Sequence, residues 1–203
     1  SYRTENDVPV VPLEMEAEES FFVVFRTPAK KPVLIVEKPV LTVAATLDGP
    51  WQASLQPKLG DPVSLQLSTL ASLSEHTDPA VKYFSGVATY TQTFTAPKGV
   101  RRGEPLWLDL GEIGDVAEVH VNGKLIGTTW HAPYRLDIGS ALMRGRNELQ
   151  IRVANVWVNR LIGDAQPGAK KVTFAGSATY RADAPLRPAG LLGPVRLMIP
   201  KKQ

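Results

Sequence analysis

Bond-cleaving chemistry in this chain would fall to carboxylates, and Asp109, Glu112, Asp115, Glu118, Asp137, Asp164 and Asp183 are the candidates. Hydrolysis of a glycosidic linkage needs two such groups facing each other across the bond, roughly 5 to 9.5 Å apart. Asp109 and Glu118 fall on expected strands, with Glu112 and Asp115 in the loop between them, so a loop pair is conceivable. Solvated loop acids are the commoner role for residues placed in this way. No other catalytic signature competes. The chain has no cysteine, no serine in a Gly-x-Ser-x-Gly elbow and no Gly-rich phosphate loop. His76, His120 and His131 are its only histidines, and their spacing fits no zinc signature. No cofactor is expected. A structural calcium ion is compatible with carboxylate and carbonyl ligands, although no acidic cluster marks a place for it.

Recognition remains as the chemistry these residues offer. A sugar presents polar edges and weakly apolar C–H faces, so its site needs an aromatic platform ringed by planar donors and acceptors. Thr129-Trp130-His131-Ala132-Pro133-Tyr134-Arg135 supplies these in one expected loop, and Trp157, Asn159, Arg160 and Asp164 follow a strand end. If the two loops meet, Trp130 or Trp157 stacks a ring while Asn159, Arg160 and Asp164 bond its hydroxyls. Trp157 alternates with Val156 and Val158, which suits core and site equally. Arg160 and Asp164 also suit each other, since a guanidinium fork fits a carboxylate and would brace a loop without binding anything. Trp51 and Trp107 lie in strand patterns and read as packing residues.

The elements that must position these side chains are short strands. Trp51–Leu55, Tyr90–Phe94, Leu106/Leu108/Leu110, Val119/Val121, Leu149/Ile151/Val153 and Val195/Leu197/Ile199 alternate apolar with polar residues at period two. Half-apolar strands need a second sheet to cover their inner face, so the economical answer is an all-β antiparallel sandwich. Asn122-Gly123 predicts a type I′ hairpin joining Val119-His120-Val121 to Lys124-Leu125-Ile126. Helical signal is confined to a turn near Ser68–Leu73 and to Ile138–Gly145, with Ser140 as cap and Gly145 as stop. The first forty residues differ in character. They carry the acidic patch Glu14, Glu16, Glu18 and Glu19, then Phe21-Phe22-Val23-Val24-Phe25, which reads as one buried strand. Prolines at 28, 32 and 39 follow, and Val33–Val36 between two of them is an edge strand or a tether. Residues 1–45 are read as a lead-in, or the tail of a preceding β-domain, and residues 46–203 as the sandwich.

Laid out in order, the Tyr90–Phe94 strand, the Leu108-Asp109-Leu110-Gly111 strand end, Val121-Asn122-Gly123 and the closing Gly190-Leu-Leu-Gly193-Pro-Val195 resemble a known domain. It is the galactose-binding-like, jelly-roll sugar-binding domain that accompanies glycoside hydrolase family 2. The resemblance runs from about Leu47 to Pro200. Pro133–Asp137 and Asn155–Asp164 are most similar to the C-terminal sandwich of bacterial α-L-rhamnosidases of family 106, and Leu13–Phe25 resembles the closing strands of the domain before it there. The resemblance implies a noncatalytic carbohydrate-binding or accessory domain of a bacterial glycoside hydrolase, with no catalytic residue of its own, since the catalytic groups of those enzymes sit on a large barrel. It also implies that Asp183 and Arg187, in the long segment from Gly163 to Ala189, lean toward a neighbouring pocket. The alternatives are a structural domain that docks on the barrel without touching sugar, and a small self-contained glycosidase.

Composition narrows the partners. The formal charge of the 203-residue chain is +3, yet from Ser140 onward eleven Lys or Arg face three acids. A basic face concentrates anionic partners, and an acidic plant or bacterial polysaccharide is one, although a solvated face is the plainer reading. The charges form no stripe or stacking platform of the nucleic-acid kinds. No apolar run is long enough to span a membrane. The lack of cysteine leaves the compartment open, the N-terminus carries no export-signal pattern, and the resemblance implies a secreted or periplasmic protein.

Overall fold

The computed structural model describes residues 1–15, 17, 19–175 and 179–201, so Glu16 and Glu18 of the acidic patch lie outside the described residues. Strands β1 (Tyr2–Glu5), β2 (Val8–Val10) and β3 (Val33–Leu34) form a small antiparallel sheet in the order β2-β1-β3. The remaining elements follow as β4 (Leu41–Thr46), β5 (Trp51–Gln56), β6 (Val63–Leu67), α1 (Pro79–Lys82), β7 (Gly86–Thr95), β8 (Trp107–Asp109), β9 (Glu112–Ile113), β10 (Val116–Val121), β11 (Lys124–Thr129), β12 (Arg135–Asp137), β13 (Arg146–Asn155), α2 (Val158–Asp164), β14 (Leu191–Gly193) and β15 (Arg196–Pro200). One layer has six strands in the order β11-β10-β13-β7-β5-β6, and the other four in the order β12-β8-β15-β4. Every strand pairing in both layers is antiparallel. The expected all-β sandwich is the architecture found.

The alternation read from the sequence is the alternation of burial. Along β13, Asn147, Leu149, Ile151, Val153 and Asn155 point inward while their neighbours face out. Trp51, Leu55, Tyr90, Leu106, Leu108, Leu110, Val119, Val121 and Leu197 meet them from both layers with no exposed surface. Burial pushes the Tyr90 hydroxyl up to about 12, with the Leu191 backbone opposing part of that rise. The Asn122-Gly123 turn has positive φ at both residues, 52° and 75°, as a type I′ hairpin requires. Asn122 also ties it down: its Oδ1 accepts from the Glu148 N–H, while Nδ2 donates to the Ala141 carbonyl and to Asn147 Oδ1.

The closing Gly-Leu-Leu-Gly motif has a physical reason. β14 pairs with β9, and Gly111 bridges Gly193 so closely that a Cβ at 111 would stand 2.4 Å from the Gly193 carbonyl. A Cβ at Gly190 would likewise lie 2.2 Å from the Tyr90 hydroxyl. Only glycine lets these backbones meet.

Three local expectations are corrected. Phe21–Phe25 forms no strand, and each of its five residues is exposed, Phe22 at 95%. The sandwich closes its core without this run, which therefore lacks the cover its composition calls for. The turn expected over Ser68–Leu73 forms further on, at Leu73–Glu75, where Ser72 Oγ accepts from the Ser74 N–H. The turn at Gly139–Ala141 is held by Asp137, whose Oδ1 accepts from the Gly139 N–H, and not by Ser140. Two short helices escaped the reading. Asp78 caps α1 and Pro79 opens it, a start signal visible in the sequence. α2 begins at Val158 with no side-chain cap, so the Val-Trp-Val alternation concealed it. Among the described residues no helix is long and apolar enough to cross a membrane.

Candidate functional site

The two loops singled out by sequence leave the same end of the six-stranded layer. Ala117 pairs with Thr129 on one side while Val116 pairs with Ala154 on the other, so β11 and β13 flank β10 and finish level with its first residues. Their ends are two strand spacings apart, about 10 Å. Trp130 follows β11 directly and is 65% exposed, and Trp157, between β13 and α2, is 68% exposed. Val116 and Val156 are exposed as well. Asp115 fixes the second loop against the first residues of β10, its Oδ2 accepting from the Val156 N–H at 3.1 Å. The rim is thus an apolar strip with an aromatic ring at each side.

The polar residues expected around those rings are engaged inside the molecule. Asn159 is buried and clamps the loop before β14: its Nδ2 donates to the Arg187 carbonyl and its Oδ1 accepts from the Arg187 N–H, both at 2.8 Å. Arg160 Nη2 lies 2.9 Å from Asp164 Oδ1, one turn on along α2. Asp164 Oδ2 accepts from the Val172 and Thr173 N–H groups and the Thr173 hydroxyl. Burial pushes the Asp164 carboxyl up, but the Thr173 hydrogen bonds, the Arg160 charge and the Val172 N–H outweigh it and hold the group below the ordinary aspartate range. The bracing pair weighed from sequence is therefore present, and it organises residues 164–173.

The other candidates are spread around this end. His131 stands edge-on to Trp130, ring centroids 6.0 Å apart. Tyr134 is half-buried against the core, and its carbonyl accepts from the Leu110 N–H. Arg135 Nε donates to Asp109 Oδ2 at 2.8 Å, while Asp109 Oδ1 accepts from the Gly111 N–H. Asp183 is exposed and chelated by Arg181 through two hydrogen bonds. Arg187 is exposed, with its backbone in the Asn159 clamp.

Six of the seven carboxylates that would do hydrolysis have structural partners of their own, and the seventh, Glu112, is exposed. Besides Asp109, Asp115, Asp164 and Asp183, Asp137 Oδ1 accepts from the Leu106 and Gly139 N–H groups. Glu118 lies between His120 and Arg152, whose hydrogen bonds hold its carboxyl below the ordinary glutamate range. Among the described residues, no three His, Asp or Glu gather as a metal site would require.

Two groups that sequence reasoning passed over help to build this end. Asn155 Oδ1 accepts from the Gly190 N–H at 2.6 Å, and its Nδ2 reaches the Val153 and Gly86 carbonyls, joining β13 to the closing loop. Its place at the inward phase of β13 was the available signal. Tyr83 packs its Cβ and Cγ where a Cβ on Gly163 would stand, each at 2.6 Å, and the Arg160 guanidinium lies 5.9 Å from its ring. No periodicity in the sequence announced that contact.

Comparison with known proteins accords with this geometry. The profile of the glycosyl hydrolase 2 galactose-binding domain-like family matches residues 73–187. The solved structure of a rhamnosidase from Novosphingobium sp. PP1Y is similar over 97% of this chain, with 53% identity and a TM-score of 0.90. A Formosa agariphila protein provisionally named a β-glucuronidase is 34% identical over 178 residues, or 75% of this chain. The β-glucuronidase of Ruminococcus gnavus shares the fold at 20% identity and a TM-score of 0.56, over 82% of this chain and 30% of its own. The chain spans 19% of the rhamnosidase and 15% of the Formosa protein.

Proposed function

The chain belongs to the glycosyl hydrolase 2 galactose-binding domain-like family, and from that premise we propose that it is a noncatalytic accessory domain of a bacterial rhamnosidase-like glycoside hydrolase. The observation that carries this reading is the 53% identity over 97% of the chain to a segment making up 19% of a rhamnosidase. The apolar rim is where the domain works. Trp130, Val116, Val156 and Trp157 are exposed side by side, while Asn159, Arg160 and Asp164 turn their polar groups inward. An aromatic strip beside which Asn159, Arg160 and Asp164 are engaged with other groups of the chain suits docking onto a catalytic domain better than holding a sugar at that end. A secreted or periplasmic setting goes with this role.

A second reading, direct carbohydrate binding, is favoured by the excess of basic residues after Ser140. An acidic glycan is the partner it implies.

The test is a chimera in which this chain replaces the segment it matches in the Novosphingobium rhamnosidase, with Trp130→Ala and Trp157→Ala introduced singly. Docking expects the chimera to melt at lower temperature, by about 1–2 kcal/mol of interface energy per ring, with the isolated chain unaffected. Sugar stacking at the rim expects unchanged melting and weaker calorimetric titration of the isolated chain with rhamnose, galactose or uronate oligosaccharides. If neither quantity moves, the rim has no such role.

A further inference from the structure

α1 and α2 enclose a cleft whose lining includes none of the rim residues Val116, Trp130, Val156 and Trp157 and is of a different kind. The cleft has a volume of about 450 Å³ and is lined by Pro79, Tyr83, Arg160, Gln166, Pro167 and Lys170 among others. That is within the range of small-molecule sites, roughly 300–1,000 Å³. Its walls are held in place. Gly163 lets Tyr83 lie directly on α2, since any side chain there would collide with the ring. Gln166 Nε2 donates to the Ile162 and Ala182 carbonyls, and the Gln166 carbonyl accepts from the Ala169 N–H, closing the 166–169 turn that forms one wall.

The charge around this cleft is one-sided. Arg160 and Lys170 line the cleft, the Arg160 guanidinium 5.9 Å from the centre of the Tyr83 ring, and Lys82 Nζ, outside the lining, lies 5.7 Å from the same ring. Asp164 pairs with Arg160, but neither Lys82 nor Lys170 forms an ion pair with a described carboxylate. Arg160 also keeps its Nε buried without a hydrogen-bond partner among the described residues.

We propose that this cleft binds a carboxylated sugar, a uronic acid residue of an acidic glycan, with its carboxylate toward Lys170 and Arg160 and its C–H face against Tyr83 and the two prolines. The proposal rests on the carbohydrate-binding reading and gives it a place distinct from the aromatic rim. Fixed cations select the carboxylate, and ring carbon against proline and tyrosine selects a sugar over a small inorganic anion.

The test is calorimetric titration of the whole chain with trigalacturonate, a neutral galactose trisaccharide and inorganic phosphate, on the native sequence and on Lys170→Glu, Lys82→Glu and Trp130→Ala. Lys170 is exposed and Lys82 half-buried, and neither forms an ion pair among the described residues, so their variants should keep the native melting temperature, which is measured alongside. The expected result is binding of trigalacturonate at least tenfold tighter than of the neutral trisaccharide, weakened tenfold or more by Lys170→Glu, weakened less by Lys82→Glu, and unchanged by Trp130→Ala. Equal binding of acidic and neutral sugars, or loss through Trp130→Ala with the lysine variants silent, overturns the cleft and leaves carbohydrate binding standing. Phosphate binding as tightly as trigalacturonate overturns the sugar as ligand. Failure of all three probes overturns the cleft and the carbohydrate reading together.

Discussion

Asn159 looked from its neighbours like a sugar ligand, yet its amide closes a two-bond clamp on Arg187 and lies buried under the loop that clamp secures. Replacing it with alanine strands a backbone donor and acceptor. Asn159→Ala should therefore cost about 1–3 kcal/mol of stability in a denaturant titration. Protonation provides a second check at this scale. The carboxyls of Asp164 and Glu118 titrate below their ordinary values of 3.8 and 4.5, so each stabilises the fold above those values and ceases to as pH falls through its lowered one. Glu118 is solvated and contributes the smaller share. Tyr90 acts at the other extreme: its hydroxyl is raised from 10.0 to about 12, so the folded state is favoured below pH 10 and loses that advantage between 10 and about 12. Unfolding free energy measured against pH should fall in both windows, and Asp164→Asn should flatten the acid one.

At the scale of elements, the β10–β11 hairpin concentrates the most specification in the fewest residues. Asn122 supplies a positive φ together with three hydrogen bonds to the Ala141–Glu148 segment. Asn122→Ala loses both, and we expect about 2–4 kcal/mol of destabilisation, against roughly 1 kcal/mol for Gly123→Ala, where the added methyl meets open space. Chemical denaturation of the pair checks the ordering. The hairpin was legible in the sequence because turn chemistry and strand alternation agree there. α2 was not, because its first turn continues an alternation begun in β13, and what makes it a helix is tertiary: Gly163 against Tyr83 and Asp164 holding residues 172–173. The rim tryptophans fell between these cases. Trp130 was legible as part of a Pro-containing loop, whereas the even choice at Trp157 was decided by the helix that follows it.

For the whole molecule, the sandwich is complete without the first forty residues. Its core runs from Trp51 to Leu197, and Phe21–Phe25 lies outside it with its side chains exposed. An unbroken apolar run is read as buried on the premise that the same chain supplies the cover, and here that premise fails. Phe22→Ser should leave the melting temperature of the isolated chain unchanged, a shift within about 0.5 kcal/mol, while lowering its binding of a hydrophobic dye. A fall in melting temperature would show that the run stabilises the sandwich after all.

The pairing of β4 with β15 carries a topological consequence. Lys201 donates its N–H to the Val40 carbonyl, so the strands that open and close the sandwich run side by side, with their outer ends adjacent. A module whose entry and exit share one edge can be spliced into a longer polypeptide at a single point without threading that polypeptide through its layers. By the same logic, a short peptide linking residue 201 to residue 40, with the backbone reopened at the Asn122-Gly123 tip, should yield a circular permutant with the same two layers.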